Sequence, residues 1–416
     1  MNADILILGA GIAGLRCGIE ILKKRPSLTI VILEKYNYTG GRVVTYHKKI
    51  EDIQGNCSSV QWENGAGRVS LHHRKILQLF KQYKIATIPM NDTVLYEEDG
   101  VMTQNIFTDT MRLLSSAFES LSEDYLATHT VREALTVILG EEKTDRFLLQ
   151  FPYRSEVDTL RADLGIETFK EEMGSYKGFV GVKEGLSTLV QSMAKDFTGR
   201  GGTILHDQEV VHIEKAGSMI LVRTKESLWE APTVISALHR DAYKTISFFN
   251  EWETLQYLKM EPLLRAYAVF PTKNGKSWFS GSPKVVSSSP LRFFIPIDPS
   301  CGTVMISYTD GKDARELLQM IKQEGEEKTG DFIVEQARRV FPEKEIPDPL
   351  FFKFHPWTSG CTYWLPGNYD PTKESRRALK PFSDVNLYCC GESFSTKQAW
   401  MEGAVEHADL LLDTYF

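Results

Sequence analysis

Ile5-Leu6-Ile7-Leu8-Gly9-Ala10-Gly11-Ile12-Ala13-Gly14 joins an apolar run to a glycine-rich turn near the start of the chain. Four consecutive apolar residues predict a strand that is buried on both faces, as in a parallel sheet. A helical pattern follows over residues 13–24, Pro26 prevents its continuation, and residues 29–33 form a second apolar run. The order strand, helix, strand predicts a parallel βαβ unit.

The glycines of this turn fit the pattern G-x-G-x-x-G, directly after a strand and at the start of a helix. The first glycine allows the tight turn, the second lets the backbone approach a pyrophosphate, and the third lets helix and strand pack closely. Glu34 ends the second strand, where a carboxylate can accept both hydroxyls of an adenosine ribose. The sequence therefore predicts a dinucleotide site, with candidate contacts at Gly9, Gly11, Ala13, Gly14, Glu34 and Lys35.

A second glycine pair, in Thr39-Gly40-Gly41-Arg42, follows Glu34 after a short loop. Paired glycines permit close backbone approach, and arginine supplies a planar, permanently charged fork for phosphate oxygens or a flavin edge. Here the chain resembles the flavin-containing amine oxidase family, which includes monoamine, polyamine and L-amino-acid oxidases. The resemblance implies FAD rather than NAD.

Three further stretches carry the same resemblance. Trp62-Glu63-Asn64-Gly65-Ala66-Gly67-Arg68 resembles the family's acidic-x-Gly-[Gly/Ala] segment that passes over the flavin, and Val210 matches the residue that holds the adenine through its backbone. Gly391-Glu392 is similar to the pair in which the glutamate contacts ribitol and phosphate. Met401 begins the last helix, whose backbone N–H groups the family points at the flavin pyrimidine; a helix N-terminus stabilises negative charge there.

The resemblance also implies an aromatic slot for the substrate amine. One wall is Trp400, just before Met-Glu-Gly-Ala, and the other comes from the Trp-rich segment that contains Tyr363 and Trp364. Which of those two neighbours faces the flavin stays open, and simple helix packing is the alternative for Trp400. Apolar walls of this kind favour the neutral amine, the form able to give up hydride equivalents.

Arg265 stands where family members usually carry a lysine that holds a water near the flavin. Arginine cannot act as a titratable base and presents a wider fork than an ammonium. It could hold a water or a substrate carboxylate, and an ordinary salt bridge is the alternative.

Cys361 lies in Ser-Gly-Cys-Thr-Tyr, which is similar to the stretch that attaches flavin covalently in monoamine oxidases. The spacing to the following Pro366-Gly367 differs, so we expect non-covalent FAD.

Composition excludes several classes of protein. The chain has 416 residues, of which 42% are hydrophobic and 25% charged, and a net charge of −7, so no basic field points to nucleic acid. Six scattered cysteines without a CxxC pair indicate neither a disulfide framework nor a zinc site. Without a recognisable signal peptide or membrane span, we expect a cytoplasmic enzyme.

The predicted fold is α/β, with a doubly wound, Rossmann-like FAD domain built from residues 1–80, 185–240 and 355–416. An α+β substrate domain is expected from residues 81–184 and 241–354.

The leading hypothesis is an FAD-dependent amine oxidase, in which hydride equivalents pass from an amine carbon to flavin N5 and O2 is reduced to H2O2. One alternative is a desaturase or dehydrogenase of a carbon–carbon bond, and another is a non-catalytic flavin-binding regulatory protein. The resemblance names no substrate.

Overall fold

The computed structural model describes residues 1–51, 57–174 and 178–416, and the side chains of residues 57, 58 and 172–174 lie outside that description. The helices are α1 Ile12–Lys24, α2 Arg74–Tyr83, α3 Phe107–Leu113, α4 Ser115–Phe118, α5 Glu123–Thr128, α6 Val131–Leu139, α7 Glu141–Leu148, α8 Arg154–Asp158, α9 Ala162–Gly174, α10 Ser187–Gly199, α11 Arg240–Tyr243, α12 Gly311–Glu324, α13 Glu326–Val340, α14 Pro371–Arg377 and α15 Met401–Tyr415. The strands are β1 Ile5–Leu8, β2 Ile30–Leu33, β3 Thr45–Glu51, β4 Cys57–Glu63, β5 Val69–Ser70, β6 Thr87–Pro89, β7 Val94–Glu98, β8 Val101–Gln104, β9 Phe179–Val182, β10 Thr203–Leu205, β11 Val210–Ala216, β12 Met219–Thr224, β13 Leu228–Ala231, β14 Thr233–Ser236, β15 Leu258–Val269, β16 Lys284–Ser287, β17 Phe293–Asp298, β18 Thr303–Asp310, β19 Phe351–Trp364 and β20 Leu387–Cys389.

A parallel sheet with the strand order β10-β2-β1-β14-β20 gathers segments that lie far apart in the chain. Strand β1 is buried on both faces: Ile5 and Ile7 pack into one apolar core with α1, α10 and α15, while Leu6 and Leu8 pack into a second core. This explains the unbroken apolar run in the sequence. The predicted doubly wound α/β arrangement is confirmed.

A seven-stranded sheet, with the order β19-β15-β18-β17-β16-β7-β8, forms the second large layer. Its side chains alternate between two environments, as the period of a strand requires. Along β15, Leu264 and Ala266 pack into a core that includes residues of helices α12 and α13. Their neighbours Leu263, Arg265 and Tyr267 point to the other face, where a large cavity lies. One face of this sheet therefore packs on helices, and the other contributes residues both to a core shared with β3 and β4 and to the cavity wall.

The sequence pattern located most elements and missed some. Helix α15 has the predicted bounds, and α1 and α10 begin and end within two residues of the prediction. Helix α12 and strand β13 were not predicted. Strand β19 crosses residue 355, where the second domain was expected to give way to the first.

Within the part of the chain that the structure describes, no helix is both long enough and apolar enough to cross a membrane.

Candidate functional site

The turn after β1 leaves open space beside the start of α1. Gly9 has φ +100°, a left-handed conformation that favours glycine. At Gly11 a Cβ atom would meet no described atom within 4 Å, so the backbone itself forms the wall of a cradle. At Gly14 a Cβ would lie 2.1 Å from the carbonyl oxygen of Gly9. Gly14 does not line the cavity and lets α1 pack on β1, as expected of the third glycine of the motif, so its assignment as a cofactor contact stays a prediction.

Glu34 connects the end of β2 to this turn. Its side chain is 5% exposed, and its carboxylate accepts hydrogen bonds from the N–H groups of Ala10 (2.7 Å) and Tyr36 (3.0 Å). Burial raises the pKa of Glu34, and the two backbone donors oppose that rise. The neighbouring Lys35 forms an ion pair with Glu209 at 2.7 Å. Glu34 is thus held in place at the predicted ribose position.

The Gly40-Gly41 loop lies directly against the first turn. The N–H of Gly40 donates to the carbonyl of Ala10 at 3.0 Å, and a Cβ on Gly41 would lie 3.5 Å from the Cα of Gly11. Both loop glycines have positive φ, +127° and +59°, which explains the pair. The two glycine motifs form one continuous surface.

Arg42 links this loop to the C-terminal part of the chain. It donates to the carbonyl of Gly360 at 2.7 Å and pairs with the Glu392 carboxylate at 2.8 Å. Glu392 also accepts from the backbone N–H of Thr362 (3.0 Å), the Thr362 hydroxyl (3.1 Å) and the N–H of Ala399 (2.9 Å). Burial lowers the pKa of Arg42, but the charges of Glu392 and Cys361 and the hydrogen bond to Glu392 together outweigh it, and the net shift is upward. The Glu392 carboxylate therefore accepts hydrogen bonds from four donors, and it holds Arg42 in position.

Gly65-Ala66-Gly67-Arg68 passes beside Arg42. The N–H of Ala66 donates to the Arg42 carbonyl at 2.9 Å, and a Cβ on Gly65 would lie 1.9 Å from that same oxygen. The guanidinium of Arg68 lies over the rings of Phe179 (4.2 Å) and Trp400 (5.4 Å). The segment therefore connects the glycine loops to the aromatic part of the site.

The C-terminal segment closes the site with a strained turn and a helix start. Gly391 has φ +128°, and a Cβ there would meet no described atom within 4 Å. Trp400 is the N-cap residue of α15, and Met401 begins the helix against the cavity. The unpaired N–H groups of a helix N-terminus suit a region of negative charge.

These elements surround one cavity of about 1470 Å³. The candidate cofactor contacts that line it are Gly9, Gly11, Ala13, Glu34, Lys35, Gly40, Gly41, Arg42, Gly65, Ala66, Gly67, Arg68, Val210, Gly391, Glu392 and Met401. Its volume exceeds the ~300–1,000 Å³ of an ordinary small-molecule site. It has room for a dinucleotide and a substrate together.

The aromatic end of the cavity contains both predicted aromatic residues. Trp400 lies 4.8 Å from the His73 ring in an edge contact, and Tyr363 is 4% exposed on the cavity wall. Trp364 is fully buried in the core and donates to the carbonyl of Ser395, so Tyr363 is the member of that pair which faces the cavity. Tyr308 also lines this end and was not predicted, because a strand residue without a motif carries no signal of its own.

Arg265 reaches the cavity from β15. One guanidinium nitrogen, Nη1, donates to the carbonyl of Glu63 at 3.0 Å and would lie 3.0 Å from a Cβ on Gly67. The guanidinium carbon lies 5.7 Å from the ring centre of Tyr308. The salt bridge considered from the sequence is not seen: within the described residues no carboxylate lies at ion-pair distance from Arg265.

Two further groups on the wall were not predicted as site residues. Burial raises the pKa of the Glu63 carboxyl to about 7 against the opposing hydrogen bonds from Leu186 and Thr45 and the positive charge of Arg265. Burial, together with the charge of Arg68, lowers the pKa of Lys284 to about 8. Glu63 is the acidic residue of the segment 62–68 that resembles the family segment over the flavin, whereas Lys284 stands in no recognisable motif.

Cys361 lines the cavity as a thiol. Burial and then the Glu392 charge raise its pKa to about 12, so the thiolate that would form a covalent bond is disfavoured. Among the described residues, no group of three or more His, Cys, Asp or Glu side chains is placed to hold a metal ion.

Comparison with known proteins agrees with this geometry. The profile of the flavin-containing amine oxidoreductase family matches residues 12–410. The fold is similar to that of wild-type putrescine oxidase bound to putrescine, with a TM-score of 0.74, 16% identity and coverage of 99% of each chain. It is also similar to a protein named "Putative protoporphyrinogen oxidase" from Exiguobacterium sp. 255-15, with a TM-score of 0.73, 13% identity and coverage of 99% of this chain and 98% of that one.

At these identities the structural likeness shows a shared fold. No curated protein matches the chain in sequence. The family match, in contrast, spans nearly the whole chain, from the first glycine motif into helix α15. The chain belongs to the flavin-containing amine oxidoreductase family and is an FAD-dependent oxidoreductase.

Proposed function

We propose that this enzyme oxidises an amine to an imine, with O2 as the electron acceptor and H2O2 as the product. The observation that carries the proposal is the continuity of the cavity: the dinucleotide cradle at Gly11 and the aromatic end at Trp400 and Tyr363 share one space. An oxidoreductase needs its cofactor and its substrate in contact, and this cavity supports that arrangement.

The residues present fit FAD. Gly11 and Gly41 leave backbone-lined space for a pyrophosphate, Glu34 stands at the ribose position, and the start of α15 provides N–H groups for the flavin end. Bound FAD would supply the electron chemistry: it would accept a hydride equivalent from the amine C–H bond while the amine loses an N–H proton, and O2 would then take up the two electrons and two protons as H2O2. We infer that FAD is held without a covalent bond, because the Cys361 thiol is protonated at neutral pH.

The chain's own residues bind and orient the amine. Trp400 and Tyr363 provide apolar surface that excludes water, and burial holds the pKa of Tyr363 well above its usual value, so its phenol stays neutral. An apolar wall lowers the pKa of a bound ammonium and so favours the free base. The amine nitrogen lone pair then becomes available for the loss of the neighbouring hydrogen.

Two further expectations accompany the proposal. We propose that the FAD domain comprises residues 1–80, 185–240 and 355–416, and that residues 81–184 and 241–354 provide the substrate domain. The parallel sheet supports the first part, since its strands come from all three of those segments. We also propose a cytoplasmic location.

Anaerobic mixing of the FAD-loaded enzyme with amines, polyamines and amino acids tests the proposal. We expect at least one amine to bleach the flavin absorbance, and air to restore it with release of peroxide. Bleaching by an unsaturated-lipid precursor without peroxide would instead indicate carbon–carbon dehydrogenation. A flavin that dithionite reduces and no substrate reduces would indicate a binding protein.

A further inference from the structure

Arg265 is a cation on the cavity wall without a matching anion. Its Nε is buried and has no hydrogen-bond partner among the described residues, and its Nη1 donates to a neutral carbonyl, that of Glu63. The cations at the nucleotide end differ, since Lys35 pairs with Glu209 and Arg42 pairs with Glu392.

The groups around Arg265 supply only part of the missing charge. The positive charge of Arg265 lowers the pKa of the Glu63 carboxyl, but burial still holds that pKa at about 7, and among the described residues Glu63 forms no ion pair with Arg265. Its cross-strand partners are Tyr308 on β18 and His355 on β19. Burial raises the pKa of Tyr308 well above its usual value, and burial lowers the pKa of His355 to about 4, so both side chains are uncharged near neutrality. Glu156 also lines the cavity, and its charge raises the pKa values of Cys361 and Tyr363, but it is not at ion-pair distance from Arg265.

A charge left unpaired on the wall of a site is costly unless a ligand supplies its partner. Arginine is suited to this purpose, because its planar fork matches the two oxygens of a carboxylate. Lys284 is a second cation on the cavity wall and lies on β16 of the same sheet. It forms no ion pair within the part of the chain that the structure describes. Three strand spacings separate β16 from β15, about 14 Å, so Lys284 stands apart from Arg265 and adds to the same positive wall.

We propose that Arg265 binds a carboxylate of the substrate, so that the amine oxidised by this enzyme also carries a carboxylate. This inference rests on the proposed function and narrows it to amino acids and N-substituted amino acids. It also means that a simple diamine, which is a double cation in water, meets a wall of like charge.

Binding of a carboxylate that cannot be oxidised gives the first test. FAD-loaded enzyme is titrated with benzoate and with its neutral analogue benzamide, and the shift of the flavin spectrum reports binding. We expect benzoate to bind about 10- to 100-fold more tightly, the range for hydrogen bonds to a charged group. Arg265→Met should abolish that preference, and Arg265→Lys should retain part of it.

Lys183→Met is the matched control, because Lys183 is an exposed lysine at the rim of the same cavity. It should leave the benzoate preference intact. The FAD content of each variant shows whether it has folded. Equal affinity of the wild-type enzyme for benzoate and benzamide would overturn the inference, as would an unchanged benzoate preference in folded Arg265→Met.

Paired substrates separate this inference from the proposed function. Phenylalanine with phenethylamine, and ornithine with putrescine, differ only in the carboxylate. We expect the amino acid of each pair to bleach the flavin about 10- to 100-fold more efficiently. Equal or faster bleaching by the decarboxylated amines would refute the role of Arg265 and leave amine oxidation standing. If no amine of either kind bleaches the flavin, the proposed function fails, and the benzoate titration still decides whether Arg265 binds carboxylates.

Discussion

Glu392→Gln removes the negative charge that balances Arg42 and leaves the side chain almost the same size. The Glu392 side chain is 7% exposed and that of Arg42 30% exposed, and the nitrogen–oxygen distance between them is 2.8 Å. All four donors to the carboxylate need an acceptor: Arg42, the N–H and the hydroxyl of Thr362, and the N–H of Ala399. An amide offers one oxygen and one NH2 group, so whichever way it turns, its NH2 faces at least one donor.

The expected cost follows from these contacts. Removing one partner of a fully buried ion pair costs about 3–5 kcal/mol. Because Arg42 keeps some access to the cavity, we expect a cost below that range, about 2–3 kcal/mol, in the free energy of unfolding. Arg42 also loses its orientation toward the glycine loops, so FAD affinity should fall by about tenfold or more.

Urea unfolding followed by tryptophan fluorescence measures the first effect, and titration of the apoenzyme with FAD measures the second. Asp384→Asn is the control, since Asp384 pairs with Lys215 at 2.6 Å but both side chains are well exposed, at 68% and 42%. It should cost less than about 1 kcal/mol and leave FAD binding unchanged. If Glu392→Gln costs no more than Asp384→Asn, Glu392 does not organise the site as argued.

Three other outcomes are expected. Gly11→Ala should change the free energy of unfolding of the apoenzyme by no more than about 0.5 kcal/mol, because Gly11 has φ −71° and open space at its Cβ, but it should weaken FAD binding about tenfold or more, because the methyl group enters the pyrophosphate space. Gly199→Ala, also without Cβ neighbours among the described residues, is the control, and unchanged FAD affinity in Gly11→Ala would contradict the cradle. Cys361→Ser should bind FAD fully, and acid precipitation should release the flavin from both variant and wild type; yellow colour that stays with the wild-type protein alone would reveal a thioether. The pKa of Glu63 in the folded chain, about 7, lies above its ordinary value of 4.5, so between these pH values the folded state holds an extra proton. The free energy of unfolding of the apoenzyme should therefore fall as pH rises from 4.5 to 7, by up to about 3 kcal/mol. Glu63→Gln should flatten this pH dependence, and an identical pH dependence in the variant would refute the assignment.

The nucleotide end of the site could be predicted from the sequence because its requirements are local. Positive φ at Gly9 and Gly40 and close packing at Gly14 require glycine, and such positions appear as a motif with fixed spacing. Glu34 also has a fixed place relative to the motif, because it ends the next strand. The motif also predicted the packing role of its third glycine, since Gly14 packs beneath the cavity wall and does not line it.

Apart from Trp400 and Tyr363, which the family resemblance located, the substrate end could not be predicted in the same way, since its strand residues meet only through the seven-stranded sheet. Tyr308 and Lys284 lie on different strands, and nothing in their neighbourhoods distinguishes them from other strand residues. Arg265 was located by its place in a family segment. That it forms no ion pair could be seen only in the fold, where its neighbours come from β18, β19 and β4. Charge balance in a cavity is a property of the fold, and single-sequence patterns do not report it.

The stoichiometry of a single turnover tests amine oxidation most directly. FAD-loaded enzyme is titrated without oxygen with a limiting amount of the amine or amino acid that bleaches it fastest, and is then exposed to air. The account predicts that one equivalent of substrate bleaches one equivalent of flavin and leaves one equivalent of carbonyl product after imine hydrolysis, and that air then yields one equivalent of H2O2. Full bleaching by dithionite, with no bleaching by any amine or amino acid, would contradict it.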